Sequence, residues 1–111
     1  PVFEQLRDIK TKAVVFGRVA DILKARGELD KALEIRQQEE LQVFERLGNV
    51  RELLLCRAKI ALLLYEIDAE ANKKKIEELL RLALADAQRL KLPGETEWIE
   101  GIMKEFRIKA Q

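Results

Sequence analysis

Histidine is absent from this 111-residue chain, and cysteine occurs only once, at Cys56. Without imidazole, the chain cannot build a His-containing catalytic triad, a His general base or a His-ligated metal site. The glycines are isolated from one another, so no glycine-rich loop of the nucleotide-binding type occurs. We therefore predict that the chain is not an enzyme and that it holds no catalytic residue, cofactor or metal.

The single cysteine and the balanced charge also restrict the setting and the partners. Cys56 lies in the apolar run ELLLCRAKIALLL, where a lone thiol is expected to pack as a small hydrophobic side chain. Arg57 and Lys59 interrupt this run, which makes it too charged to span a bilayer. The 21 Lys and Arg residues against 20 Asp and Glu give no general attraction to nucleic acids or anionic membranes. We predict a cytoplasmic protein that binds neither.

Prolines and aromatic residues are few, with 2 prolines and 5% aromatics against 48% hydrophobic and 37% charged residues. This composition is typical of long amphipathic helices and not of a disordered chain. The spacing of apolar residues and the turn residues predict an all-α chain of about five helices. These helices cover residues 11–26, 30–47, 50–67, 73–91 and 97–108. Asp30, Asn49 and Thr96 are the predicted N-terminal caps of the second, third and fifth helices.

A short segment near the start of the chain occurs twice. VFEQL begins at residue 2 and returns as VFERL at residue 43, an offset of 41 (43 − 2). GRVADIL at residue 17 lines up with AKIALLL at residue 58 at the same offset (58 − 17). RLGN at residue 46 lines up with RLKL at residue 89, now at 43 (89 − 46), which a two-residue insertion near residues 68–72 explains. A period of this length predicts stacked helical repeats.

The matches divide the chain into helix pairs within one domain, residues 1–111. Because the connections are short, the helices of each pair are expected to be antiparallel. The predicted units are the tail of a preceding repeat at 1–8, repeats at 9–48 and 49–92, and a partial repeat or capping helix at 93–111.

The segment RQQEE, residues 36–40, forms a full polar turn in the middle of the second helix. We interpret it as the solvent-exposed side of an outer helix, with Arg36 and Glu40 forming an i, i+4 ion pair. The alternative is that this polar turn is a binding patch.

The stretch VADILKARGELDKALEI, together with the later LQVFERLGN, resembles a tetratricopeptide repeat in its longer-helix bacterial variant. Small residues at Ala20 and Ala32, with Gly27 at the turn between them, let the two helices cross closely. In the second unit Ala61 is retained, whereas Asp68 replaces the turn glycine. The period is closer to the 40–47 residues of armadillo and HEAT repeats than to the standard tetratricopeptide length of about 34. We prefer the tetratricopeptide interpretation because the Ala, Gly, Ala spacing reflects how the helices cross.

The resemblance implies a right-handed superhelix of antiparallel helix pairs, an α-solenoid, with a concave groove. It also implies a protein–protein interaction scaffold that binds a peptide or a helix of a partner protein in this groove. The residues expected to line the groove come from the first and third helices and are Val14, Gly17, Asp21, Lys24, Leu55, Ala58, Leu62 and Tyr65.

Two other functions remain open: a self-assembly element, and a regulatory part of a larger enzyme. A repeat array is soluble only when its terminal units present polar outer faces. Two apolar stripes are expected to lie open at the ends, one formed by Val2, Phe3 and Leu6 and the other by Trp98, Ile102, Met103 and Phe106. We therefore expect a weak homodimer through one uncapped end.

Overall fold

Five helices make up the part of the chain that the computed structural model describes, residues 2–109 without the side chains of residues 2–4 and 6. They are α1 (Val2–Ala25), α2 (29–47), α3 (Val50–Asp68), α4 (Lys73–Arg89) and α5 (Pro93–Glu105). No strand occurs within these residues. The predicted all-α fold with five helices is confirmed.

Helix α2 is continuous but not uniform. Its ends, Leu29–Ile35 and Leu41–Leu47, are α-helical, and a π-helical turn occupies Arg36–Glu40 between them. In this turn the backbone N–H of Leu41 bonds to the carbonyl of Arg36, five residues earlier. Single π-helical turns of this kind occur frequently at functional sites.

One of the three predicted N-terminal caps is confirmed. The Asn49 side chain accepts a hydrogen bond from the backbone N–H of Glu52 at 3.2 Å. The prediction is wrong for Asp30, because α2 begins one residue earlier and Asp30 lies in its first turn. It is also wrong for Thr96, because α5 already begins at Pro93. Proline suits a first helical position, where its missing N–H leaves no hydrogen bond unmade.

Four helices end in the same way, with one residue in the left-handed conformation. These residues are Gly27 (φ 80°), Gly48 (φ 65°), Lys91 (φ 57°) and Arg107 (φ 58°). In each case the next residue donates its N–H to a carbonyl five positions back, at 2.8–3.1 Å. This is the Schellman motif. Helix α3 ends differently, with Asp68 accepting from the N–H of Ala71 and Asn72 donating to the Leu64 carbonyl.

Consecutive helices pack against each other, and α2 contacts both α1 and α3. The largest hydrophobic cluster joins α3, α4 and α5 around Leu54, Ile60, Leu80 and Ile99. Two smaller clusters connect the first pair to α3, one containing Ala13, Phe44 and Leu53 and the other Ala20, Ala32 and Leu63. The apolar core is therefore concentrated in the second half of the chain.

The start of the chain does not follow the predicted repeat boundary. Helix α1 runs from Val2 to Ala25 without a turn, so residues 2–8 belong to the same helix as residues 9–25. VFERL at residues 43–47 ends α2, whereas VFEQL at residues 2–6 begins α1. The same pentapeptide pattern therefore occupies opposite ends of its two helices.

The apolar stripe expected at the C-terminal end is largely covered. Ile102 and Met103 are buried in the main cluster, and Phe106 packs against it. The residues after α5 fold back, and the Arg81 side chain donates to the Lys109 carbonyl at 3.0 Å. Of this stripe Trp98 remains exposed. The N-terminal stripe of Val2, Phe3 and Leu6 lies outside the described side chains. Among the described helices, none combines the length and apolar character needed to cross a membrane.

Candidate functional site

The polar turn of α2 lies mostly inside the protein. Arg36 is 2% exposed and Glu40 is 7% exposed, while Gln38 and Glu39 of the same turn face solvent. The Arg36 guanidinium donates to the Glu40 carboxylate at 2.8 Å. The predicted ion pair is confirmed, but the prediction that this turn forms an exposed surface is wrong for the two paired residues.

Glycine at position 17 makes room for this buried pair. A Cβ atom added to Gly17 would collide with a carboxylate oxygen of Glu40. From α3, the Cys56 thiol donates to the same carboxylate at 3.1 Å. Burial, and then the nearby Glu40 charge, raise the pKa of the Cys56 thiol. The thiol therefore stays protonated at neutral pH and acts as a hydrogen-bond donor, not as a nucleophile.

Arg36 also connects the buried pair to the surface. Its second guanidinium nitrogen donates to Asp21 of α1 at 2.5 Å, and the Asp21 side chain is 61% exposed. One guanidinium thus binds two carboxylates, one buried and one open to solvent. Such a planar donor group holds both in fixed directions. The contact fixes α1, α2 and α3 around one point.

A cavity of about 200 Å³ opens beside this point; we call it the central cavity. It is smaller than most small-molecule sites, at about 300–1,000 Å³, and its size suits an amino-acid side chain. Four helices contribute to its lining, which consists of Asp21, Lys24, Arg36, Lys59, Leu62, Leu63 and Trp98. Apolar and aromatic side chains therefore lie next to three cationic groups and one carboxylate.

The three cationic groups of the central cavity differ in how many carboxylates they pair with. Arg36 is paired with Glu40 and Asp21. Lys24 lies 4.0 Å from Glu66, and both side chains are substantially exposed, so this pair stabilises the fold little. Within the described part of the chain, Lys59 has no carboxylate within salt-bridge distance. The cavity can therefore offer cationic contacts to an incoming carboxylate.

Three of the eight predicted groove residues meet in the central cavity, namely Asp21, Lys24 and Leu62. The cavity also contains Arg36, Lys59 and Trp98, which the sequence does not predict as groove residues. The polar sequence of its turn predicts a surface position for Arg36. Gly17 is the residue that could indicate this buried pair, because a small residue on a facing helix provides space for a larger side chain opposite.

The other five predicted groove residues lie elsewhere. Gly17 is buried beneath Glu40, and Ala58 is fully buried in the main cluster, so neither presents a side chain to a groove. Leu55 packs partly buried against the same cluster. Val14 is exposed on α1 but does not line the central cavity.

Tyr65 lies at a second cavity of about 280 Å³, near the C-terminal segment. Its ring stacks on that of Phe106, with centroids 3.7 Å apart and planes at 4°. The stack attaches the residues after α5 to the end of α3. Tyr65 thus has a structural contact of its own, away from the central cavity.

Comparisons of the chain with protein-family models, with curated proteins and with solved structures found no match. Among residues 2–109, no group of three or more Cys, Asp and Glu side chains is arranged to hold a metal ion. The lining of the central cavity combines two leucines, one tryptophan and three cationic groups. This chemistry is suited to binding an apolar side chain next to an acidic group.

Proposed function

We propose that the chain is a protein-interaction module of the tetratricopeptide type, with antiparallel helix pairs stacked in a right-handed superhelix. Its concave side would bind a peptide or a helix of a partner protein. The burial pattern supports this arrangement, because Ala13, Gly17 and Ala20 are buried in α1 and so are the residues one period later in α3. The thickness of 20 Å, against a length of 47 Å, is also what two layers of helices require.

The central cavity is the single observation that carries the proposed binding function. Trp98 and Leu62 both line it, and Trp98 is exposed. Tryptophan is among the residues that most often dominate binding energy. Lys24 and Lys59 add positive charge from two different helices. The ligand we propose is a segment with a large apolar residue followed or preceded by Asp or Glu.

A peptide library displayed on phage and free of tryptophan provides the test. Because Trp98 is the only tryptophan of the chain, binding of the selected peptides can be followed by intrinsic fluorescence without a label. We expect the selected peptides to share an apolar residue beside an acidic one. Lys59→Glu should weaken their binding by about tenfold or more.

Leu82→Glu is the matched control, since Leu82 is exposed on α4 outside the central cavity. It should bind the peptides as the unmodified chain does. Circular dichroism and urea unfolding confirm that both variants are folded. Equal binding by Lys59→Glu and Leu82→Glu, or a library that yields no binding peptide, contradicts the proposed function.

A further inference from the structure

The outer side of α1 carries an apolar stripe that nothing in the described structure covers. Val15, Val19 and Ile22 are 37–54% exposed. Their spacing of four and three residues places them on one face of the helix. They point away from the side where Ala13 and Ala20 are buried. We call these three residues the α1 stripe.

The repeat shows what the same face does elsewhere in this chain. One 41-residue period after the α1 stripe lie Cys56, Ile60 and Leu63 of α3, which are only 1–2% exposed. The comparison is in register, because Leu54, Ala58 and Ala61 of α3, one period after Ala13, Gly17 and Ala20, are buried as those are. The face that is open in α1 is therefore closed in α3.

Helix α2 takes part in closing that face of α3. The Cys56 thiol bonds to Glu40 of α2, and Leu63 clusters with Ala32 of α2. Between residues 29 and 47, α2 carries five acidic and three basic side chains. The covering element is thus an amphipathic helix with a net negative charge.

Charged residues beside the α1 stripe complement a helix of this kind. The described side chains on this side of α1, or at the turn after it, include four exposed cationic residues, Arg7, Lys12, Arg18 and Arg26, and one acidic residue, Asp8. Two copies of the chain pairing stripe to stripe would bring these cationic groups together, which is unfavourable. A second copy cannot offer its α2 either, because that helix is already packed between α1 and α3.

We infer that the α1 stripe is the docking site for an acidic amphipathic helix of a partner protein, lying on α1 as α2 lies on α3. This surface lies on the side of α1 opposite to the buried one and shares no lining residue with the central cavity. The inference is therefore independent of the proposed peptide-binding function. The partner helix contributes an apolar stripe to Val15, Val19 and Ile22 and carboxylates to the flanking Arg and Lys side chains.

The probe is a fluorescein-labelled synthetic peptide with the sequence of residues 29–47. It carries Arg36→Leu and Glu40→Ala, so that no buried charge faces the α1 stripe, and a hydrocarbon staple replaces the exposed Gln38 and Gln42. Four acidic and two basic residues remain, which preserves its net charge. Fluorescence anisotropy measures its binding to the full chain. A second peptide, with Lys in place of each Asp and Glu, tests the charge requirement.

We expect Val19→Glu to weaken binding of the acidic peptide at least tenfold. Val14→Glu is the matched control, an exposed valine on the same helix but outside the α1 stripe, and Lys59→Glu is the control for the central cavity. Both should bind the peptide unchanged, while the lysine peptide should bind at least tenfold more weakly. Because Val19 is exposed, the variant is expected to keep its fold, which circular dichroism confirms.

Three results would overturn the inference. The first is no binding of the acidic peptide, or equal binding by Val19→Glu and Val14→Glu. The second is loss of binding in Lys59→Glu, which would place the peptide in the central cavity and support the proposed function instead. The third is a dimer of the unmodified chain in sedimentation experiments that Val19→Glu dissociates, because a second copy would then occupy the stripe.

Discussion

The two helix pairs bury equivalent positions with opposite chemistry. Arg36 and Glu40 of α2 correspond, 43 residues later (79 − 36), to Leu79 and Ala83 of α4. All four residues are buried, although two are charged and two are apolar. At these positions the two segments therefore share burial but not polarity, which is possible because the buried charges have partners.

The helices that face these positions, α1 and α3, differ correspondingly. Gly17 of α1 leaves space for the Glu40 carboxylate, whereas its equivalent in α3, Ala58, lies in an apolar cluster with Ala83. The first pair combines a large polar side chain, Glu40, with glycine. The second pair combines alanine with alanine, Ala83 and Ala58, and fills a similar volume. Substitutions that exchange the two arrangements can test how far each depends on its own partners.

Removing one member of the buried pair should have the largest effect. Glu40→Ala leaves the Arg36 guanidinium buried with only Asp21 as a partner and deprives the Cys56 thiol of its nearer acceptor. We expect the free energy of unfolding to fall by about 3–5 kcal/mol. Urea unfolding measures the change. Glu39→Ala, at the exposed neighbouring position, should stay within about 0.5 kcal/mol of the unmodified chain.

Replacing the whole pair should restore stability. Arg36→Leu with Glu40→Ala copies Leu79 and Ala83 of the second unit, and it removes the buried charges together. We expect the double variant to be at least as stable as the original chain, since apolar replacements of buried ion pairs are often neutral or stabilising. A double variant as unstable as Glu40→Ala alone would show that the two units do not share equivalent positions.

The effect of Gly17→Ala on stability should change sign with its background, because the new methyl group would clash only with the Glu40 carboxylate. In the original chain the new methyl group meets the Glu40 carboxylate, and overpacking of this kind costs about 1–3 kcal/mol. In the Arg36→Leu, Glu40→Ala background this carboxylate is gone. The substitution should then stabilise α1 by up to about 1 kcal/mol through helix propensity. A double-mutant cycle from urea unfolding gives the coupling, and additive effects would rule out the contact.

The Cys56 thiol should make stability depend on alkaline pH. The folded chain retains this proton because burial raises the pKa of Cys56, whereas the unfolded chain releases it around the ordinary pKa of 9.0. Above that pH the unfolded state binds fewer protons, so the free energy of unfolding falls as pH rises. Between pH 7.5 and pH 10 the chain should lose about 1.4 kcal/mol more than Cys56→Ala does. Identical pH profiles would show that the thiol ionises in the folded state.

The C-terminal ends of α2 and α4 provide the test with the smallest expected effect. Gly48 and its equivalent Lys91 both adopt the left-handed conformation, at φ 65° and φ 57°. This conformation is unfavourable for a side chain with a Cβ atom. Lys91→Gly should therefore raise the free energy of unfolding by about 0.5–1 kcal/mol, and the reciprocal Gly48→Lys should lower it by a similar amount. Thermal unfolding measures both changes. If both variants gained stability, or both lost it, the two helix ends would not be equivalent motifs.

The sequence predicts the helices well because their signals are local. Asn49 and the apolar spacing after it place α3 within one residue of its observed end at Asp68. The predicted start of α5 is too late, because a proline indicates a break before a helix, whereas Pro93 is the first helical residue. Proline is compatible with both positions, and only the packing of α5 on α4 decides between them.

The candidate site was less predictable because it depends on contacts between helices. The burial of Arg36 and Glu40 requires a π-helical turn, space at Gly17 and a donor at Cys56, which lie far apart in the sequence. Trp98 reaches the central cavity only because α5 folds back beside α3 and α4. Periodicity assigns an inner and an outer face to each helix, but it does not determine which neighbouring helix that inner face meets.

The smallness of the buried residues of α1 has a consequence for local unfolding. Among the described side chains of this helix, the fully buried residues are Ala13, Gly17 and Ala20. Separating α1 from the rest would open the two smaller clusters, whereas opening α3 would break the main cluster as well. The amide hydrogens of α1 should exchange with solvent at a lower free energy than those of α3. A helix bound along α1 would slow that exchange. Binding to the outer side of α1 would therefore be detected as slower amide exchange along the whole helix.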